Sequence, residues 1–200
     1  MRMRNPKDKE EVLNACEFYY EKEIGFKNEN PVHLEVGMGK GDFVIGMAKK
    51  YPNINFIGME KYSAVASIAI KKIKEENLSN VLVLVMDVAN SIEELEGKID
   101  LIYLNFSDPW PKDRHAKRRL THHNQLKVYD SLFKNDCYIK MKTDNEDLFN
   151  YSIPSFKEYG YEIVDEIRDL HSTDMDNVMT EYEKKFSSIG TKIKYTYVKK

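Results

Sequence analysis

Between residues 32 and 141 the chain alternates short apolar runs with helix-length stretches, and no other feature narrows its possible folds so far. The runs at residues 32–36, 54–59, 81–86, 99–106 and 137–141 are strand-sized. The third is apolar throughout, as expected of a strand covered on both faces. The intervening stretches predict helices: one from the turn after the first run to Lys50, one over residues 63–76 and one over residues 120–133. In the second of these, Val65, Ile68, Ala69 and Ile73 mark the inward face. Ser91 and Glu94 have capping-box spacing for a further short helix. Strands alternating with helices predict an α/β fold, an open and mostly parallel sheet with right-handed crossovers placing helices on both faces. Two later runs, at residues 161–167 and 193–198, are expected to pair as an antiparallel edge, giving about seven strands in all.

The chain of 200 residues suits one hydrophobic core. A helix is expected over residues 8–22, where Val12, Leu13, Cys16 and Tyr20 share a face, and residues 28–31 then break the chain. The expected organisation is therefore a single domain over residues 1–200, with residues 1–30 an N-terminal helical extension and 31–200 the core. Hydrophobic residues at 42% and charged residues at 32% describe a globular protein rather than a disordered one. No apolar run approaches bilayer length, and charged residues follow Arg2 and Arg4 where a signal peptide would be apolar. A cytoplasmic protein with no membrane association is expected. Cys16 and Cys137 form no CxxC pair, so both read as core thiols, and no metal site is expected. Nothing in the chain chooses between monomer and homodimer.

Chemistry enters at the end of the first strand, which runs into Glu35-Val36-Gly37-Met38-Gly39-Lys40-Gly41. Glycines 37, 39 and 41 permit a tight turn and a close backbone approach to a ligand at the carboxyl edge of the sheet. Glu60 after the second strand is placed to accept from ribose hydroxyls, and Asp87 after the third to accept from an adenine amino group. Each alone reads as a solvated strand-end acid; together they point to a nucleoside-containing cofactor. The dinucleotide fingerprint needs its third glycine one residue later. Glu35, beside the turn, would repel a diphosphate and welcome an ammonium. S-adenosylmethionine carries that ammonium and no phosphate, so a methyl donor is favoured over NAD.

The net charge of −2 gives no bulk argument for nucleic acid. Yet Lys112, Arg114, Lys117, Arg118 and Arg119 crowd around His115 and Ala116 with only Asp113 opposing them. Such a cluster can form a nucleic-acid footprint that overall charge conceals, although a solvated charged loop has the same composition.

After the fourth strand comes the run Asn105-Phe106-Ser107-Asp108-Pro109-Trp110-Pro111-Lys112-Asp113-Arg114-His115-Ala116-Lys117-Arg118-Arg119-Leu120-Thr121. This run resembles the signature of the bacterial tRNA (guanine-N7)-methyltransferases, which methylate a guanine in the tRNA variable loop. The resemblance continues, in order, through Lys142-Thr143-Asp144-Asn145, Leu148-Phe149 and Thr180-Glu181-Tyr182-Glu183-Lys184-Lys185-Phe186. It implies a Rossmann-like class I methyltransferase fold, S-adenosylmethionine as cofactor and tRNA as partner. By position it implies that Glu35, Glu60, Asp87 and Asp108 bind the cofactor, with Asp108 also in the active site. Lys112, Asp144, Thr180, Glu181, Tyr182 and Glu183 would contact the substrate, and residues 114–119 would lie along RNA. Two departures, Asn135-Asp136 where the family usually has paired glycines and Ile153 where it commonly has leucine, concern local turn geometry.

Several of these residues also have plain structural readings. Thr180 and Glu183 have capping-box spacing, Tyr182, Phe186 and Ile189 share a helical face ending at Gly190, and Asp144 suits an N-cap before Leu148. Trp110, between two prolines, suits a loop wedge or a base-stacking platform. His33 reads as a core-strand residue, and the histidines at 122, 123 and 171 have no ligand spacing. Three rival activities fit less well. An exocyclic amino methyltransferase would not place tryptophan directly after Pro109, an RNA-binding module would not need the glycine turn with its acids, and an NAD-dependent oxidoreductase would space the glycines differently.

Overall fold

A computed structural model describes residues 25–200; the helix expected over residues 8–22, with Cys16, lies outside them. The seven expected strands form one sheet in the order β3-β2-β1-β4-β5-β7-β6. β1 (Val32–Val36), β2 (Asn55–Met59), β3 (Val81–Leu84), β4 (Leu101–Asn105) and β5 (Tyr138–Thr143) are parallel. β7 (Lys194–Lys199) inserts antiparallel between β5 and the edge strand β6 (Glu162–Ile167).

Successive side chains along a strand enter different cores, so each buried strand needs apolar residues on both faces. In β4, Ile102 and Leu104 point to one face and Tyr103 to the other. The first face is covered by α4 (His123–Leu132) and α5 (Glu146–Tyr159), through Leu126, Tyr129, Leu148 and Phe156. The second is covered by α1 (Asp42–Lys50) and α2 (Ser63–Glu75), through Phe43, Met47, Ala66 and Ile73. Of two shorter helices, α3 (Ile92–Leu95) adds the fully buried Leu95 to the first core, and α6 (Glu181–Ser187) buries Glu183. No helix among the described residues is long and apolar enough to cross a membrane.

Several local expectations need correction. The buried face of α2 is Ala66, Ser67, Ala69, Ile70 and Ile73, with Val65 and Ile68 only half-buried, because β2 and β3 meet the helix one position further round. Ser91 precedes α3 but forms no capping box; its hydroxyl donates to the Val88 carbonyl. α4 begins at His123 rather than Leu120, and the His122 ring accepts from the Asn124 amide. The cap of α5 is Asn145, not Asp144: its side-chain oxygen accepts from the Leu148 amide at 2.7 Å. Thr180 does form the expected capping box with Glu183. The helical face expected of Tyr182, Phe186 and Ile189 holds only for the first two, whose rings stack, because α6 ends at Ser187; Tyr182 and Ile189 are exposed. His33 bonds the Tyr103 hydroxyl at 3.2 Å, and burial pushes its pKa down to about 4. Cys137 is half-buried, and burial pushes its thiol up to about 11.

Candidate active site

The parallel strands deliver Glu35, Glu60, Asp87, Asp108 and Asp144 to one edge of the sheet, at or just beyond their carboxyl ends. The glycine turn holds all three glycines at positive φ: 78° at Gly37, 59° at Gly39 and 80° at Gly41. Gly41 has a second requirement, since a Cβ there would stand 2.8 Å from the Ala69 Cβ of α2. The turn is tied to β2 by the Gly37 and Met38 amides, which both donate to the Met59 carbonyl. Glu60, nearly buried, reinforces it: one carboxylate oxygen accepts from the Gly39 amide and the other from the Tyr62 amide.

An open cleft of about 260 Å³ beside the turn brings together Glu60, Tyr62, Asp87, Asp108, Trp110 and Arg118. Asp87 caps a short 3-10 turn through one oxygen, which accepts from the Ala89 amide, and its side chain is exposed to the cleft. A second pocket shares Gly37 and Phe106 with the first and is lined by Glu35, Gly39, Asn105, Thr180, Glu181 and Tyr182.

Glu35 is the most informative side chain in this second pocket. Its Oε1 accepts from the Asn105 amide nitrogen at 3.0 Å, while the equally buried Oε2 has no partner. Burial raises its pKa to about 7, against the opposing effects of the Asn105 hydrogen bond, the Lys142 charge and the nearby Val44 backbone amide. A buried carboxylate oxygen without a donor is costly, and a ligand ammonium would relieve it. Glu60 and Asp87 add carboxylate acceptors in the adjoining cleft, a set that would match the ammonium, ribose hydroxyls and adenine amino group of S-adenosylmethionine, so the residues present fit that group.

The far wall is made by the segment before α6 and by α6 itself. Asp176 bonds Lys50 and the Tyr51 hydroxyl at the end of α1, and Glu181 pairs with Lys40 of the glycine turn at 2.9 Å. The Tyr182 hydroxyl donates to Asp144 at 3.2 Å, and its ring packs on Phe106 and Phe186. Phe106 holds a φ of 50°, an uncommon conformation for an aromatic residue that turns the chain sharply between Asn105 and Asp108. Glu183 faces inward and is fully buried, bonded to Lys142, Asn177 and His171.

The basic segment forms a 3-10 helix over Asp113–Arg118 rather than an irregular loop. Lys112, Arg114, Lys117 and Arg118 are exposed; His115 and Ala116 are half-buried. His115 meets the edge of Trp110, and Arg118 lies over the same ring at 4.8 Å. Arg119 departs from the expected RNA face. It is buried, donates to the Pro109 and Trp110 carbonyls at 3.0 Å each, and stacks over Tyr151 at 4.2 Å. Its guanidinium satisfies carbonyls of the Asp108 loop, which explains why the loop holds its shape although Trp110 has a φ of 44°.

Asn105, Tyr62 and Lys142 were not singled out by sequence reasoning. Asn105 opens the recognised run and sits at a strand end beside Glu35, a signal available in principle. Lys142 opens a recognised segment without any sign there of its partner, and Tyr62 is an ordinary residue until the chain is folded. Among the described residues no group of three or more His, Cys, Asp or Glu side chains could hold a metal ion.

A family model described as "Putative methyltransferase" matches residues 29–196. The tRNA (guanine-N7)-methyltransferase of Mycoplasmopsis pulmonis is 45% identical over 197 residues, spanning 98% of this chain and 97% of the relative. That of Bacillus subtilis is 47% identical over 184 residues, 91% of this chain and 86% of the relative. Among solved structures, the 16S rRNA methyltransferase KamB superposes with a TM-score of 0.65 at 11% identity, covering 98% of this chain and 94% of that one. A SAM-dependent methyltransferase from Aquifex aeolicus gives a TM-score of 0.60 at 17% identity, covering 96% and 89%. At those identities the structural likeness bears on the fold, a Rossmann-like class I methyltransferase.

Proposed function

The chain belongs to the tRNA (guanine-N7)-methyltransferase family and is an enzyme of that type; we propose that it takes the methyl group of S-adenosylmethionine and acts on a guanine of the tRNA variable loop, with the residue roles that follow. The observation that carries the cofactor assignment is the buried, unpartnered Oε2 of Glu35 at a three-glycine turn. Glu35 would hold the ammonium of the methionine moiety, Glu60 the ribose and Asp87 the adenine. Gly37, Gly39 and Gly41 let the backbone pass close to the ligand. When bound, the cofactor supplies an electrophilic methyl group on a sulfonium sulfur.

Guanine N7 offers a lone pair and carries no proton, so no side chain has to act as a general base. Positive charge grows on the purine as its new bond forms. Asp108, exposed at the cleft beside the glycine turn, is suited to orient the base and oppose that charge, and preorganised electrostatics of this kind can dominate a rate. Lys112, Asp144, Thr180, Glu181 and Tyr182 are assigned to the substrate, Glu183 to the wall behind them, and Arg114, His115, Ala116, Lys117 and Arg118 to the RNA backbone. Residues 1–30 are read as an extension of the one catalytic domain, and a cytoplasmic location suits an enzyme of tRNA. The direct test incubates the purified protein with labelled S-adenosylmethionine and unmodified tRNA, then identifies the nucleoside and its position. Label in 7-methylguanosine of the variable loop is expected; label in an exocyclic amine, or at another guanine, overturns the assignment.

A further inference from the structure

Lys142 is the most deeply buried cation of the site region, and all three of its ammonium protons are used. Its Nζ donates to Glu183 Oε2 at 2.6 Å, to Asn177 Oδ1 at 3.0 Å and to the Val178 carbonyl at 3.0 Å. The Lys142 side chain is 6% exposed and that of Glu183 is 0%. Glu183 spends its remaining capacity on the same segment, accepting from Asn177 at 2.6 Å and bonding His171 at 3.0 Å. One lysine at the end of β5 therefore pins a strap, residues 171–183, at the adjacent pair Asn177 and Val178 and again at Glu183, which ties in His171.

A second and independent feature holds the strap at its middle. Val178 crosses α1 at Gly46, and a Cβ on Gly46 would stand 2.6 Å from Val178 Cγ1. A Cβ there would force the Val178 side chain into another rotamer or push the strap away from the helix. The strap ends in Thr180, Glu181 and Tyr182, which line the pocket that holds Glu35. In the neighbouring strand, Asn105 lies in register with Lys142 and bonds Glu35. The Lys142 latch on β5 and the cofactor carboxylate on β1 thus flank the end of β4, whose Asn105 links the two within one sheet.

We infer that Lys142 and Glu183 are positioning residues: their buried ion pair, with the Gly46–Val178 contact, fixes the strap so that Thr180, Glu181 and Tyr182 hold the acceptor base at the methyl donor. Glu183 then serves the substrate from behind the wall and does not touch RNA. A buried pair is weak support for stability, because two apolar residues of similar size often replace it without loss. Its value here is geometric. A base misplaced by a fraction of an ångström to an ångström loses rate even when the tRNA is still held.

This inference rests on the methyl-transfer reading, and the experiment separates the two. Single-turnover methylation of unmodified tRNA is compared for the wild type, Lys142→Met with Glu183→Met, Glu183→Gln alone, Gly46→Ala, and Gly46→Ala with Val178→Ala. Cofactor and tRNA affinities are measured in parallel. If the wild type forms no 7-methylguanosine, the functional reading falls. If it does, the paired Met variant should react at least thirtyfold more slowly, with both affinities within threefold of wild type. Glu183→Gln, which keeps an acceptor for Lys142, should recover much of that rate. Gly46→Ala should slow the same step about tenfold, and adding Val178→Ala, which removes the clashing methyl groups, should restore it. A folded paired variant with the wild-type rate overturns the proposal. Should that variant not fold, Gly46→Ala decides: a wild-type rate, or a slowing that Val178→Ala does not rescue, overturns it equally.

Discussion

Raising the pH from 6 to 7.5 should tighten S-adenosylmethionine binding about sixfold, and Glu35 is the reason. In the empty site its pKa stands near 7, raised by burial from the ordinary 4.5. An ammonium is held by the carboxylate and not by the neutral acid, so the apparent affinity scales with the ionised fraction. That fraction is about 0.09 at pH 6 and about 0.76 at pH 7.5 for a pKa of 7. An α-amino group loses its proton near pH 8, so roughly a quarter of the ligand is already neutral at pH 7.5, which trims the gain from about eightfold to about sixfold and closes the window there. Binding at pH 6 should therefore release about 0.9 proton per cofactor, falling to about zero at pH 7.5, where proton uptake by the α-amino group offsets release from Glu35. Calorimetric titration in buffers of different ionisation enthalpy reads both quantities. Glu35→Gln should remove the pH dependence and weaken binding at pH 7.5 by roughly ten- to a hundredfold, the equivalent of about 1.5–3 kcal/mol for a charged hydrogen bond removed. Stability moves the opposite way. A carboxyl whose pKa is raised by folding favours the folded state below pH 4.5 and loses that contribution as the pH rises through 7, by about 3 kcal/mol for a shift of this size. The empty Glu35→Gln variant should thus melt at a higher temperature than the empty wild type at pH 8. Wild-type affinity that stays flat from pH 6 to 7.5, with no proton released, would refute the reasoning.

Glu60→Ala and Asp87→Ala should each weaken the cofactor by about 1.5–3 kcal/mol, with Glu60 the larger because it also holds the Gly39 and Tyr62 amides; calorimetry on folded variants checks the order. Asp108→Asn should depress the single-turnover methylation rate far more than tRNA affinity, and an unchanged rate would leave Asp108 a structural loop residue. Replacing Arg114, Lys117 and Arg118 with alanine should lower the slope of log tRNA affinity against log salt by about 0.7–0.9 for each phosphate that is no longer neutralised, read by filter binding across a salt series. Arg119→Ala should instead leave the salt slope alone and cost about 1.5–3 kcal/mol of stability in a denaturant titration, since its guanidinium holds the Pro109 and Trp110 carbonyls.

What the sequence alone determined is whatever depends on local chemistry and periodic pattern. Two-sided apolar runs such as residues 81–86 belong in a covered sheet, and their alternation with helices predicts strands that the structure places in one parallel set. Glycines at 37, 39 and 41 predict a turn because only the backbone matters there, and all three do take positive φ. Strand ends mark a single edge, so Glu60, Asp87 and Asp108 group together on the pattern of the chain alone. Direction and burial of the remaining side chains were decided by the tertiary structure. Arg118 and Arg119 are chemically identical neighbours, yet one lies over Trp110 at the cleft and the other is buried beneath the Asp108 loop. Asp144 and Asn145 are equally good caps on paper; Asn145 takes the Leu148 amide and leaves the Asp144 carboxylate to Tyr182. Lys142 and Glu183 fall in separate recognised segments far apart in the chain, and nothing in either segment points to the other. Their pairing exists because β5 ends where the strap crosses α1, and a meeting of distant segments leaves no local periodicity to read.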